Sequence, residues 1–421
     1  MKFTTRMLSA ALAAGVLAAS LAGCGAGPAA STTLPLPSEV PEDIIMQTAG
    51  VARNTPLVTV NGAEVPAEEV LYWVSSYADQ YAAWGMTDLT MDMGSGQTLG
   101  EYYLDSAVET AALYRVVESK AQELGLGWSD ANQTAYDEQL QTMKTSLAQQ
   151  AGLDMETQSD KVDTEFVRLI SYMGLSQEGF FRINQASFLY NNLMEGLYGP
   201  EGTDAPDAAR LEEAGVLHAK HILIKAEPVT DADGNVTDDG MAAALNEAQG
   251  LYDQLMAAED PMTLFDQLMT EHTDDVDASG NVNGGTEGYT FGDGEMVTEF
   301  YEGTKALAEG EISQPVQSPY GYHIILRLSA DNEAGYEKYA QVKMQSQIET
   351  WMDEAQIERS EALDGVDLQA YYDGLTALRS DISAASQADN APAETTAPET
   401  TAPAESETPA ETAAPSETPA A

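Results

Sequence analysis

Cysteine is almost missing: the 421 residues contain one, Cys24. A disulfide within the chain is therefore excluded, and so is a structural zinc site built on thiolates. Basic residues are scarce as well. Eighteen Lys and Arg stand against 69 Asp and Glu, a formal net charge of −51. Binding to nucleic acid or to an anionic membrane surface requires cations along the contact face, so this balance argues against both. The repeated βαβ pattern of a solute-binding protein is also lacking. Histidine is rare, and its four copies (His218, His221, His272 and His323) all fall between Val216 and Ser329.

The one long apolar run, Met7 to Leu21, follows Lys2 and Arg6 and is rich in Ala and Gly. It is too short for a confident membrane span and reads as a processing segment, residues 1–23. The run ends in "LAGC", which resembles the lipobox of bacterial lipoproteins. That resemblance implies a diacylated Cys24 as the new N-terminus, anchored at the extracytoplasmic face of the cell membrane. Residues 24–55, rich in Pro, Ala, Ser and Thr, read as a flexible tether. At the other end, residues 384–421 carry "TAPAE"-like words that cannot bury enough apolar surface to order themselves.

Between these ends the periodicities predict an α+β protein. "PLVTVNGAEVPAEEVLYWV" opens with a strand, a turn at Asn61-Gly62 and a helix. Leu104, Val108, Ala111, Tyr114, Val117, Ala121 and Leu124 recur at helical steps, closed near Gly125. A further helical pattern runs from Ser176 to Tyr198, so residues 56–205 form a mainly helical domain. From Val216 the pattern changes to β-α-α-loop-α-β, a compact unit over residues 214–330. After it comes a C-terminal helix within residues 331–383. Its stripe of Tyr336, Tyr339, Met344, Ile348, Trp351, Met352 and Ala355 needs a partner surface, and the N-terminal helices are the obvious one.

His221 and His323 each open a strand-like run, and in a small sheet two such strands can be neighbours. Facing imidazoles can then share a hydrogen bond that fixes both tautomers. Taken singly, each histidine is better explained as capping its strand and satisfying a local carbonyl. The surrounding words decide the matter. "HAKHILIK" (218–225), "GYTFGDGEMVTEFYEGTKALAEGEISQPV" (288–316) and "SPYGYHIILRL" (318–328) resemble the parvulin-type, or PpiC, peptidyl-prolyl cis–trans isomerases over residues 214–330. The layout from lipobox to trailing helix is similar to that of the PrsA-like foldase lipoproteins and their SurA-like relatives.

The resemblance implies a small antiparallel parvulin sheet with covering helices, beside a SurA-N-like chaperone domain completed by the C-terminal helix. It implies a catalytic set of His221, His323, Asp275 and Ser318. Met296 and Phe300, four apart on one helical face, would form the apolar wall for the proline ring, with Tyr289 and Tyr320 completing the substrate-binding set. It implies no cofactor and no metal, and as partners unfolded or partly folded exported polypeptides. Two departures stand out: "GTEGYTFG" replaces the family's usual "GDLG", and Tyr320 stands where many members have Phe. These leave open a non-catalytic holdase with a degenerate isomerase fold.

Two other motifs come to little. "DADGNVTDDG" (231–240) fails the EF-hand pattern at Val236 and Ala242 and reads as a hydrated loop. His218 and His221, three apart on a strand, point to opposite faces and cannot chelate one metal. Residues 216–329 carry four Lys and Arg against 21 Asp and Glu, so phosphorylated substrates are disfavoured.

Overall fold

The computed structural model describes residues 33–94 and 96–391. The processing segment and Cys24 lie outside the described residues, as does the tail beyond residue 391. The molecule has two parts, a helical body built from both ends of the chain and a small sheet domain between them.

The body begins earlier than a tether to residue 55 would allow. Helix α1 (Ile44–Ala49), capped by Asp43, buries Ile44 and Ile45 in the body's core. The composition of this stretch is tether-like, but its few apolar residues have a surface to cover. The hairpin of β1 (Pro56–Val60) and β2 (Ala63–Pro66) turns at Asn61-Gly62, both at positive φ. That is the pair a tight two-residue hairpin demands. Four long helices follow α2 (Ala67–Ala82): α3 (Leu99–Glu123), α4 (Asp130–Ala151), α5 (Ser159–Tyr172) and α6 (Gln177–Tyr198). A capping box of Thr98 and Glu101 starts α3, and its expected stripe faces inward with Val108, Ala111, Tyr114, Val117 and Ala121 buried, except for Leu124, which lies past the helix end and is exposed.

The C-terminal region is not one helix. After the sheet domain come α11 (Glu333–Glu354), β9 (Ile357–Arg359), the short α12 (Glu361–Asp364) and α13 (Leu368–Asp389) (α7 to α10 are placed below). Strand β9 pairs with β1 to complete a three-stranded sheet of order β2-β1-β9. Met344, Ile348 and Trp351 of α11 share one apolar core with Leu71, Tyr103 and Phe180, as do Tyr371 and Leu375 of α13. Helix α13 passes residue 384, where the tail was expected to begin, because Ile382 and an Arg168–Asp389 ion pair hold it down. No helix among the described residues is long and apolar enough to cross a membrane.

Short α7 (Ala208–Glu213) leads into the sheet domain, whose four strands run antiparallel in the order β6-β3-β8-β7. These are β3 (Leu217–Lys225), β6 (Tyr289–Phe291), β7 (Val316–Ser318) and β8 (Gly321–Leu328). Helices α8 (Met241–Ala257) and α9 (Pro261–His272) cover one face, packing Leu251, Leu255 and Phe265 on Ile222, Ile224, Ile324 and Leu326. On the other face α10 (Thr298–Lys305) lays Phe300 and Tyr301 against Ala219, Phe291 and Ile325. The 231–240 stretch forms the exposed hairpin of β4 (Val229–Thr230) and β5 (Val236–Asp238), where Asp231 caps its own turn through Asp233 and Asn235.

Candidate active site

Register brings the two rare histidines together. In the β3–β8 pair, His221 sits opposite Ile325 and Leu223 opposite His323. Alternation along a strand then puts both imidazoles on the α10 face, one diagonal step apart. Neither opens its strand as expected: His221 is fifth in β3 and His323 third in β8. Both are buried. Their rings lie nearly parallel with centroids 5.1 Å apart, and the two Nδ1 atoms are 2.9 Å apart.

Each outer nitrogen has its own partner. Nε2 of His221 is 2.9 Å from Oδ2 of Asp275, and Nε2 of His323 is 2.8 Å from Oγ of Ser318. Asp275 gets there because Thr273, at the end of α9, ties the chain to β3. The amide of Leu223 donates to Oγ1 of Thr273, and the amide of Asp274 donates to the Leu223 carbonyl. Ser318 gets there through the tight β7–β8 turn, in which Gly321 adopts φ 143 against the Ile224 carbonyl, where any Cβ would collide.

Counting protons gives the chain a direction. Asp275 accepts from Asn283 Nδ2 at 2.9 Å and from the Tyr289 hydroxyl at 2.7 Å, so it is a carboxylate with only acceptor sites. The His221 hydrogen bond, helped by Asn283 and Tyr289 and opposed by burial, holds it well below the usual carboxylate range. A neutral His221 must then donate from Nε2 and accept at Nδ1. His323 therefore donates from Nδ1 and accepts at Nε2, which leaves Ser318 as donor through its hydroxyl. The Ser318 oxygen in turn accepts the Tyr320 amide at 3.2 Å. Every donor points toward Asp275, and each tautomer is set by its neighbour. Burial, reinforced by the repulsion a protonated His221 would exert and opposed by Asp275, pushes His323 down to about 4, so its neutral form is kept.

The expected apolar wall is present in part. Phe300 is buried with its ring edge-on to both imidazoles, at 5.0 Å from His221 and 5.4 Å from His323. Met296 is half-buried against the same cluster, but it precedes α10 instead of sharing a helical face with Phe300, because the helix starts only at Thr298. Tyr289 reaches Asp275 through its hydroxyl, and burial and that contact push its phenol up. Tyr320, at the turn, is 58% exposed. Asn283 and Thr273 were not expected. One asparagine among several in an Asp/Asn/Gly loop carries no signal, and neither does a threonine that merely ends a helix. The remaining histidines stand apart: His218 bonds the Glu287 carbonyl and Asn332, and His272 is exposed at the end of α9.

Residues 221–329 match the family model of the PPIC-type PPIase domain. The chain is 30% identical over 212 residues to the foldase protein PrsA of Halalkalibacterium halodurans, covering 49% of this chain and 53% of that one. It is 36% identical over 108 residues to the chaperone SurA of Thiobacillus denitrificans, covering 26% of this chain and 21% of that one. The chain thus spans about half the length of the first relative and about a fifth of the second. Among solved structures, the peptidylprolyl isomerase PrsA from Bacillus anthracis is 19% identical with a TM-score of 0.23, covering 57% of this chain and 92% of that one. Residues 221–329 thus match the PPIC-type PPIase domain, on a chain similar to the PrsA foldases and the SurA chaperones.

Proposed function

We propose that the protein catalyses cis–trans isomerisation of X–Pro peptide bonds in exported polypeptides and holds unfolded clients. It would do so outside the cytoplasm, anchored through lipid on Cys24. The observation that carries the catalytic reading is the Ser318–His323–His221–Asp275 chain beneath Phe300, buried except at its half-buried Asp275 end. Rotation about a peptide bond meets a barrier of about 18–20 kcal/mol set by amide resonance. No covalent bond has to break, so no nucleophile is needed. A site lowers the barrier by taking the prolyl bond out of water and offering fixed polar groups that suit the twisted bond better than either planar form. Phe300, Met296 and Tyr320 suit the first task, and a histidine pair locked in one tautomer suits the second.

The test is a protease-coupled assay on a series of X–Pro tetrapeptides. The isomerisation rate should rise in proportion to protein concentration. A rate equal to the uncatalysed one would overturn the catalytic reading and leave the holdase, which the departure at "GTEGYTFG" favours. Anchoring is tested separately by Cys24→Ala, which should release the protein from membranes. Membrane partition unchanged in that variant would remove the lipid.

A further inference from the structure

Residues 33–40, "TLPLPSEV", lie along the helical body as a strap that has no helix or strand and ends in a turn, where the Val40 amide donates to the Pro37 carbonyl. Its grip has two anchors. At the inner end Val40 is buried and Glu39 accepts from Nε of the buried Arg168 at 2.6 Å. At the outer end the side-chain amide of Gln177, the first residue of α6, takes both main-chain groups of Leu34. Its oxygen accepts the Leu34 amide at 3.0 Å and its nitrogen donates to the Leu34 carbonyl at 3.0 Å. Between the anchors Pro35 and Pro37 have no N–H to give, and Leu36 is 48% exposed. Against the strap lies a cavity of about 250 Å³, with Ile44, Ile170 and Leu175 on its body side, the strap's own Leu34 as another wall, and the carboxylates of Glu68 and Glu178 at its edge.

We infer that this groove is a peptide-binding site for extended, proline-containing segments with a bulky apolar side chain, and that the strap is its intramolecular placeholder. The amide of Gln177 reads a main-chain donor and acceptor together, as a neighbouring strand would, and this grip is independent of side chain. An acyl chain has no N–H to offer it. The cavity exceeds the roughly 150 Å³ that admits benzene in an engineered core, so it takes an aromatic or large aliphatic side chain. The outer half of the strap, held by one amide clamp and carrying an exposed leucine, opens more easily than the inner end fixed by Val40 and Glu39. The inference rests on the holdase part of the proposed function and lies apart from the histidines.

The probe is a fluorescein-labelled peptide copying residues 33–41 with its first leucine replaced by phenylalanine, followed by anisotropy with the full chain. Leu34→Ser loosens the competing strap and should tighten binding roughly threefold or more. Gln177→Ala, made on the Leu34→Ser background where the strap competes weakly, removes the clamp and should weaken binding by a similar factor. Isomerase rates on a tetrapeptide should be unchanged in both, so failure here is separable from failure of the catalytic reading. In the unaltered chain, amide exchange at Leu34 should quicken when the peptide is added, which needs no variant. Absent binding, binding indifferent to both substitutions, or unchanged exchange at Leu34 would overturn the site. Strap exchange between copies, seen as a concentration-dependent dimer by light scattering, would overturn the client assignment.

Discussion

Nδ1 of His221 and Nδ1 of His323 face each other at 2.9 Å, and only one of them can carry a proton when both rings are neutral. The pair is therefore a relay of fixed sense, with Ser318 at one end and Asp275 at the other. Removing either ring leaves the other with an unpaired buried nitrogen, at a cost of about 1–3 kcal/mol.

His323→Ala and His221→Ala should each lower kcat/KM for a prolyl tetrapeptide by on the order of tenfold, which corresponds to about 1.4 kcal/mol of lost transition-state stabilisation. Rates must be compared at matched folded fraction, because stability falls too. Equal rates in both variants and the unaltered chain would reduce the sheet domain to a scaffold.

Acid should act on stability through the same pair. The folded state keeps His323 neutral down to about 4, against an ordinary value of 6.5. Between those values the unfolded chain binds a proton that the folded chain refuses. Stability from His323 is thus complete above pH 6.5 and is lost as pH falls toward 4, by up to roughly 3 kcal/mol. Asp275, depressed below 3.8, adds a further loss only below that pH. Urea midpoints at pH 7, 5.5 and 4.5 should fall less steeply for His323→Gln than for the unaltered chain. Parallel slopes would show that the ring is not held neutral.

Asp275 should matter less than the histidines. Asp275→Asn keeps the shape and an acceptor oxygen for His221, while the Tyr289 and Asn283 donors lose their anion. The expected result is a decrease in kcat/KM of a few-fold, smaller than for His323→Ala. A larger loss at Asp275 than at His323 would mean that charge, not tautomer, is the working feature.

Why some of this was legible and some not is a matter of range. The Asn61-Gly62 turn, the α3 stripe and the ends of α6 are set by neighbours three or four residues away, and they stand where the periodicity puts them. His221 and His323 meet across 102 residues, and only the resemblance of the surrounding words paired them before β3 and β8 did. Strand β2 is too short to show a period. The same holds for β9, whose "IER" pairs with β1 from nearly 300 residues away and is exposed along its length. Residues 33–55 look like linker because Pro35, Pro37 and Pro41 break any period and no long apolar run follows, yet Val40, Ile44 and Ile45 suffice to seat them.

The last expectation concerns how the chain is divided energetically. Helix α13 contributes Tyr371 and Leu375, both fully buried, to a core shared with the N-terminal helices, β1 and α11. The Tyr371 hydroxyl donates to the Leu71 carbonyl at 2.9 Å, and Arg379 grips Asp79 with two nitrogens at 2.8 and 2.6 Å. The two apolar clusters of the sheet domain contain no residue of α13. Leu375→Ala should then cost about 2–5 kcal/mol in the body alone, the range for deleting a buried leucine side chain. A chain ending after Asp367 should lose cooperative unfolding of the body and aggregate, while the sheet domain keeps its isomerase rate on a tetrapeptide. Separate transitions in denaturant, one moved by Leu375→Ala and one not, would be the direct sign. If the shortened chain instead unfolds at the same denaturant concentration as the full one, α13 is an accessory, and the shared core described here does not govern the body's stability.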